Sequence, residues 1–241
     1  MHGNAGMNPC ASHLFPEVSP QPGDTFSIER HFFGHGAALV AGLDEAGRGP
    51  LAGPVVAACA ILPRDCDHRV FRDSKQLTAR QREQLFALLY SNGALIGIGI
   101  ADPREIEAVN ILQASLLAMR RALTECAAAN GGQPPDVLLV DGRHRVPVAI
   151  QQLPLVKGES KSASIAAASI LAKVTRDRLM AKAHARYPQY GFDRHQGYPT
   201  KAHRKAIAVH GPCPLHRRTF RGVAEFLKPS ASSPPVPPGL W

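Results

Sequence analysis

A chain of 241 residues, 44% of them apolar, can build one ample core with at most a small appendage, which excludes two large independent domains. Its formal charge of +9 and pI near 9.7 suit a polyanionic partner such as nucleic acid, although charge alone fits a plain solvated basic surface equally well. Five cysteines (Cys10, Cys59, Cys66, Cys126, Cys213) form no C-x-x-C pair, no apolar run nears the ~20 residues of a membrane span, and no Lys or Arg precedes Arg30; no disulfide framework, zinc knuckle, membrane or signal peptide is expected, and the expected compartment is the cytoplasm.

In chain order, residues 1–35 are rich in Gly, Pro, Ser and His without apolar periodicity and are expected to be a disordered tail. LVAGLD (39–44), PVVAACAILP (54–63) and ALIGIGIAD (94–102) have the pattern of strands. One helix lies among them, TARQREQLFALLYS (78–91), with Thr78 as its N-cap, so the three strands are expected to form an antiparallel meander. A second helix, NILQASLLAMRRALTECAAA (110–129), has Asn110 as its cap and is stopped by Gly131-Gly132-Gln-Pro-Pro. DVLLVD (136–141) is a wholly apolar run ending in a carboxylate, as in a strand covered on both faces, and a further strand is expected within VAIQQLPLV (148–156). The Ala-rich segment 160–187 predicts a buried helix, and residues 229–241, rich in Pro and Ser, a second tail. The expected fold class is α/β: a mixed sheet, antiparallel meander plus parallel strands, flanked by helices, with a small C-terminal helical part, all within 36–228.

Asp44 and Asp141 each stand where a buried strand runs into glycine, at the C-terminal mouth where ligands of α/β sheets collect. Either acid alone reads as a turn residue, but the two with Glu45 form a self-repelling group that a hard cation such as Mg²⁺ or Mn²⁺ would neutralise. Adjacent strand residues face opposite ways, so Asp44 and Glu45 can share a site only if the chain bends, which Ala46-Gly47 permits. The loop Gly47-Arg48-Gly49-Pro50-Leu51-Ala52 matches the G-x-G-x-x-G/A dinucleotide fingerprint. That fingerprint needs a helix next, whereas 54–63 reads as a strand, so the glycines are better suited to close approach of backbone to a sugar or phosphate, with Arg48 supplying charge. Late in the chain, Arg194, Lys201, Arg204, Lys205, Arg217, Arg218 and Arg221 gather with four histidines near Tyr198, either as a wall gripping phosphates or as a solvated basic face. His210, Cys213 and His216 make an incomplete zinc pattern, and Cys213 has no nucleophile signature.

VAGLDEAGRGPLAGPVVAACAIL (40–62), DSKQLT (73–78), VDGRH (140–144), KGESKSASIAAASILAKVTRD (157–177) and HQGYPTKAH (195–203) together closely resemble bacterial ribonuclease HII, in the right order over about 40–222. The resemblance implies a ribonuclease H-like fold and an endonuclease that hydrolyses the RNA strand of RNA/DNA hybrids and cuts at single ribonucleotides in duplex DNA. It implies two Mg²⁺ or Mn²⁺ ions held by Asp44, Glu45 and Asp141, with 5′-phosphate and 3′-hydroxyl products. It also implies that Gly47, Arg48 and Gly49 read the ribose 2′-hydroxyl and that Tyr198 stacks on the sugar at the RNA-to-DNA junction. The family's fourth acid is usually Asp in a K-G-D-S-like context; this chain has Glu159 there, flanked by Lys157 and Lys161 as phosphate contacts. The rival fourth acid, Asp177, would lie about 27 Å away along a continuous helix and is expected to be a salt-bridged helix residue. The expected partner is a ribonucleotide-containing duplex, bound by a monomer without a membrane. Three alternatives stay open: a transposase-like nuclease of the same fold, a nicotinamide-dependent oxidoreductase, and a non-catalytic RNA-binding protein.

Overall fold

The structure is a computed structural model that describes residues 20–227, 239 and 241. Strands β1 (Val40–Ala46), β2 (Val55–Ile61) and β3 (Leu95–Ala101) form the expected antiparallel meander. β4 (Val137–Asp141) joins the free edge of β1 in parallel, and β5 (Gln151–Leu155) lies parallel beyond it, giving the order β3-β2-β1-β4-β5. β2 is buried along its whole length because helices cover both faces of the sheet.

The helices are α1 (Ser27–Gly34), α2 (Ala79–Ser91), α3 (Pro103–Ala129), α4 (Ala163–Arg186), α5 (Phe192–His195) and α6 (Lys201–His210). α3 packs on the face that presents Leu43, Ala57, Cys59 and Val140, while α4 packs on the opposite face against Ala58 and Ala60. α4 can come very close because its first half is rich in Ala and Ser and because the strand below it carries Gly42. A Cβ at Gly42 would lie 2.1 Å from the carbonyl carbon of Ser164, so any side chain there would push the helix off the sheet.

Thr78 caps α2 through a reciprocal box with Gln81, a feature worth about 1 kcal/mol. α3 begins earlier than the sequence predicts, at Pro103 behind an Asp102–Glu105 capping box, and kinks at Asn110, where φ is +70°. Asn110 still acts as a cap at that kink, its Oδ1 accepting the N–H groups of Leu112 (3.0 Å) and Gln113 (3.1 Å).

The tail expected over 1–35 needs correction for residues 20–35. α1 buries Ile28, Glu29 and Phe32, and the Glu29 carboxylate accepts bonds from Ser162 Oγ (2.6 Å) and Ser164 N (3.0 Å) at the start of α4. Eight residues offer only three apolar anchors, Ile28, Phe32 and Phe33, and a buried acid, too short a pattern to stand out among Gly and Pro. The rest of that tail, and nearly all of 229–241, lie outside the described residues. Among the described residues, no helix is long and apolar enough to cross a membrane.

Candidate active site

The parallel pairing of β1 with β4 sets Leu43 opposite Val140 as its last pair, so the next residues, Asp44 and Asp141, follow on neighbouring strands about 4.8 Å apart. Both line an open cavity of ≈ 320 Å³ together with Glu45, the loop Gly47–Gly49, Lys75, Lys173 and Tyr198. No bend intervenes between Asp44 and Glu45, since β1 runs on through Ala46. Glu45 lines the same cavity just beyond the last β1–β4 pair, and with Asp141 it also borders a narrower crevice beside Leu112 and Met119.

Burial raises the Asp44 carboxyl well above its ordinary value, and repulsion from Glu45, Asp141 and Glu159 raises it further. Burial likewise pushes Glu45 up to about 7, against the pull of Arg48, whose guanidinium lies 3.2 Å from its carboxylate. Asp141 Oδ1 accepts the Gly158 N–H at 2.7 Å, which ties the end of β4 to the turn carrying Glu159. Buried acids that raise one another's proton affinity favour a cation, and their hard oxygen donors fit Mg²⁺ or Mn²⁺. Among the described residues no three His, Cys, Asp or Glu side chains are close enough to form a ready-made metal cage. A cation here would therefore take much of its coordination from water and substrate phosphate, as Mg²⁺ commonly does.

Glu159 is buried in a single 3-10 turn ahead of α4. One of its oxygens pairs with the Lys75 ammonium, and the other accepts from Ser169 Oγ at 3.0 Å. It borders an adjoining cavity with Thr25, Arg72 and Ser160, at the rim of the three-acid group. Asp177 is salt-bridged as expected, its partner being Lys173 one turn earlier at 2.7 Å.

The glycine loop leads into β2 without a helix, which removes the dinucleotide reading. It rests on two fully buried arginines. Arg217 donates to the carbonyls of Gly53 (3.0 Å), Arg48 (2.8 Å), Gly47 (2.5 Å) and Pro54 (3.2 Å). Arg176 donates to Pro54 (3.0 Å), Ala52 (3.2 Å) and Gln196 (3.0 Å). Burial lowers both guanidinium pKa values, to about 9 and about 10, and mutual repulsion lowers that of Arg217 further. Gly47 has φ +101°, and a Cβ there would lie 2.1 Å from Arg176 Nε, so the contact requires glycine. Tyr198 stands across from the loop, 41% exposed, its Cε1 3.7 Å from the place a Gly49 Cβ would occupy.

With that geometry, comparison with known proteins is decisive: the family model described as Ribonuclease HII matches residues 41–223. The chain belongs to the ribonuclease HII family. It is 53% identical over 214 residues to Ribonuclease HII of Desulfotalea psychrophila, covering 89% of this chain and 94% of that one. Ribonuclease HII of Syntrophotalea carbinolica is 52% identical, covering 89% and 99% of the two chains. The ribonuclease H2 of Pyrococcus horikoshii OT3 superposes with a TM-score of 0.63 at 28% identity, over 78% of this chain and 96% of that one. Bst-RNase HIII, solved in complex with Mn²⁺, shares the fold at a TM-score of 0.61 and 19% identity, over 78% of this chain and 68% of that one. The protein is thus a ribonuclease H, an endonuclease that hydrolyses the RNA strand of RNA/DNA hybrids.

In this ribonuclease HII the cavity gathers Asp44, Glu45, Asp141, Gly47, Arg48, Gly49 and Tyr198, while Glu159 sits at its edge and neither Lys157 nor Lys161 lines it. The cations that do line it are Lys75, Arg82 and Lys173. Lys75 falls within the DSKQLT block and could have been singled out there; Arg82 and Lys173 look like ordinary helix-surface residues in sequence. Arg217 is not part of a phosphate-gripping face, being enclosed beneath the loop, whereas Arg194, Lys201, Arg204, Lys205 and Arg221 are exposed. Burial pushes the Cys213 thiol up to about 12, which leaves it no role as a nucleophile.

Proposed function

We propose that this ribonuclease HII cuts at single ribonucleotides embedded in duplex DNA as well as in longer hybrids, with 5′-phosphate and 3′-hydroxyl products, as part of ribonucleotide removal during DNA replication and repair. The observation that carries the reading is the placement of Asp44 and Asp141 on neighbouring strands, each one residue past the last β1–β4 pair, with Glu45 in the same cavity. These three acids would hold Mg²⁺ or Mn²⁺. Two bound ions would supply Lewis-acid activation of the attacking water and neutralise charge on the leaving 3′-oxygen. Glu159, held at the rim by Lys75 and Ser169, would join as the fourth acid. The chain's own groups do the rest: the Gly47–Gly49 backbone approaches the 2′-hydroxyl, the only feature separating a ribonucleotide from its neighbours, and Tyr198 packs against the sugar. Lys75 and Lys173, at the cavity wall, are placed to meet backbone phosphate. The enzyme is read as a cytoplasmic monomer acting without a membrane, its catalytic domain taking in α1 as well as the residues from 36 onward.

The test uses end-labelled duplexes of all-DNA, full hybrid and single-ribonucleotide type, with and without Mg²⁺ or Mn²⁺. Cleavage is expected in the second and third only, and only with the ion. Selective cleavage that survives chelation would overturn the metal assignment, and an intact single-ribonucleotide duplex would overturn the junction reading.

A further inference from the structure

Behind Tyr198 lie three buried histidines, His195, His203 and His216, that the chemistry above does not use. Their partners determine where each proton sits. Cys213 N–H donates to His216 Nδ1 at 2.9 Å, so that nitrogen accepts and the His216 proton is on Nε2; the longer 3.3 Å approach of Nδ1 to the Cys213 carbonyl cannot then be a bond. His216 Nε2 faces His203 Nε2 at 3.1 Å, so His203 accepts there and carries its own proton on Nδ1. That proton points at the carbonyl oxygen of Tyr198, 2.9 Å away. The same polarity follows from the other end, because a carbonyl can only accept and therefore requires a protonated His203 Nδ1.

The direction is unbroken from Cys213 N–H through His216 and His203 to the Tyr198 backbone. It holds only while both rings are neutral, and burial keeps them so, lowering His203 to about 4 and His216 to about 3. His195 supports the same turn separately, its Nδ1 accepting from Gly197 N at 3.3 Å and its Nε2 donating to the Tyr190 carbonyl at 2.8 Å. Among the described residues, no group of three His, Cys, Asp or Glu side chains that could hold a metal ion assembles around these rings.

We propose that His216 and His203 form a one-way hydrogen-bond relay that fixes the Tyr198 main chain, and through it the tyrosine ring, making them specificity-determining positioning residues for the sugar at the ribonucleotide junction. This rests on the reading of Tyr198 as the sugar-contacting residue. Aromatic packing alone would give the rings a different dependence on substitution: Phe192 contacts both His203 (ring centroids 5.5 Å apart) and His216 (5.8 Å), and a phenylalanine at 203 would keep that packing while losing both bonds.

Two measurements test the relay. Imidazole ¹⁵N NMR of the wild-type protein at neutral pH should show opposite tautomers, Nδ1–H for His203 and Nε2–H for His216; the same tautomer on both overturns the proposal without any variant. Second, kcat/KM on the single-ribonucleotide duplex should fall on the order of 10-fold in His203→Phe, the scale of one or two net hydrogen bonds, and recover largely in His203→Asn, which can still donate to the Tyr198 carbonyl. In a Tyr198→Ala background the His203→Phe loss should vanish, because the group being positioned is gone. If the loss persists in full there, His203 acts through stability or another contact and the relay fails. If Tyr198→Ala alone cleaves the junction normally, the reading of Tyr198 fails and takes the functional half of the relay with it, whatever the tautomers.

Discussion

The two walls of the cavity are built on opposite electrostatic principles. At the sheet mouth, Asp44 is buried and Glu45 partly so, and both repel their neighbours and hold their protons unusually tightly, so on the proposed reading that wall is strained until a cation arrives. Across from it, the glycine loop and Tyr198 rest on Arg176, Arg217, His203 and His216, each buried and each spending its donors on carbonyls or on a neighbouring ring. One wall is completed by what binds; the other is finished before anything binds. On the proposed reading, catalytic charge is left unsatisfied at some cost to the fold, whereas recognition of a single hydroxyl group would need a backbone that does not move.

Removing an acid should separate the walls most sharply. Asp44→Asn or Asp141→Asn should lower cleavage by roughly 10³-fold or more, while the fold persists. Metal-free Asp44→Asn should also melt above wild type, since the cost of burying an acid whose charged form is disfavoured has gone; a lower melting temperature would mean the acid wall is not strained. Arg217→Met should do the reverse, destabilising the protein by roughly 2–4 kcal/mol because it strands the carbonyls of Gly47, Arg48 and Gly53 and leaves that of Pro54 to Arg176 alone. Urea denaturation checks this, and a loss below about 1 kcal/mol would show that the loop does not depend on the clamp.

Glu159→Gln should fall between, with activity reduced by about 10-fold in steady-state assays, since Glu159 stands at the rim and is already paired with Lys75. A loss equal to that of Asp141→Asn would place it among the principal ligands. The smallest effect concerns pH. An unfolded histidine takes up its proton near 6.5, but folded His203 does so near 4 and His216 near 3, so the stability they confer is complete above 6.5 and is lost as the pH falls toward 4. The difference in denaturation midpoint between wild type and His203→Asn should therefore narrow on acidification from pH 7 to 4.5; a constant or widening gap would contradict neutral histidines.

The same contrast decides what was legible in the sequence. Asp44 and Asp141 stood out because an apolar run that stops at an acid and then glycine is a local pattern, and the three-strand meander followed from the same runs. The opposite wall depends on contacts between residues more than 120 positions apart, such as Arg176 with Pro54 and Arg217 with Gly47. An arginine beside Asp177 or within an Arg-rich stretch reads as surface, because arginine is rarely buried, and nothing local marks these two as exceptions. α1 was missed for a related reason: its buried Glu29 has meaning only against Ser162 and Ser164 of α4. Asn110 shows the intermediate case, a cap read correctly from sequence inside a helix whose earlier start is marked locally only by Asp102-Pro103-Arg104-Glu105, a signal the apolar pattern did not reach.

The central claim is that Asp44 and Asp141 share a cation, and Mn²⁺ titration followed by electron paramagnetic resonance, without substrate, tests it most directly. Wild-type protein should bind Mn²⁺, and both Asp44→Asn and Asp141→Asn should each weaken that binding by more than about 10-fold while circular dichroism stays unchanged. Mn²⁺ binding left intact by either substitution in a folded protein would contradict the account.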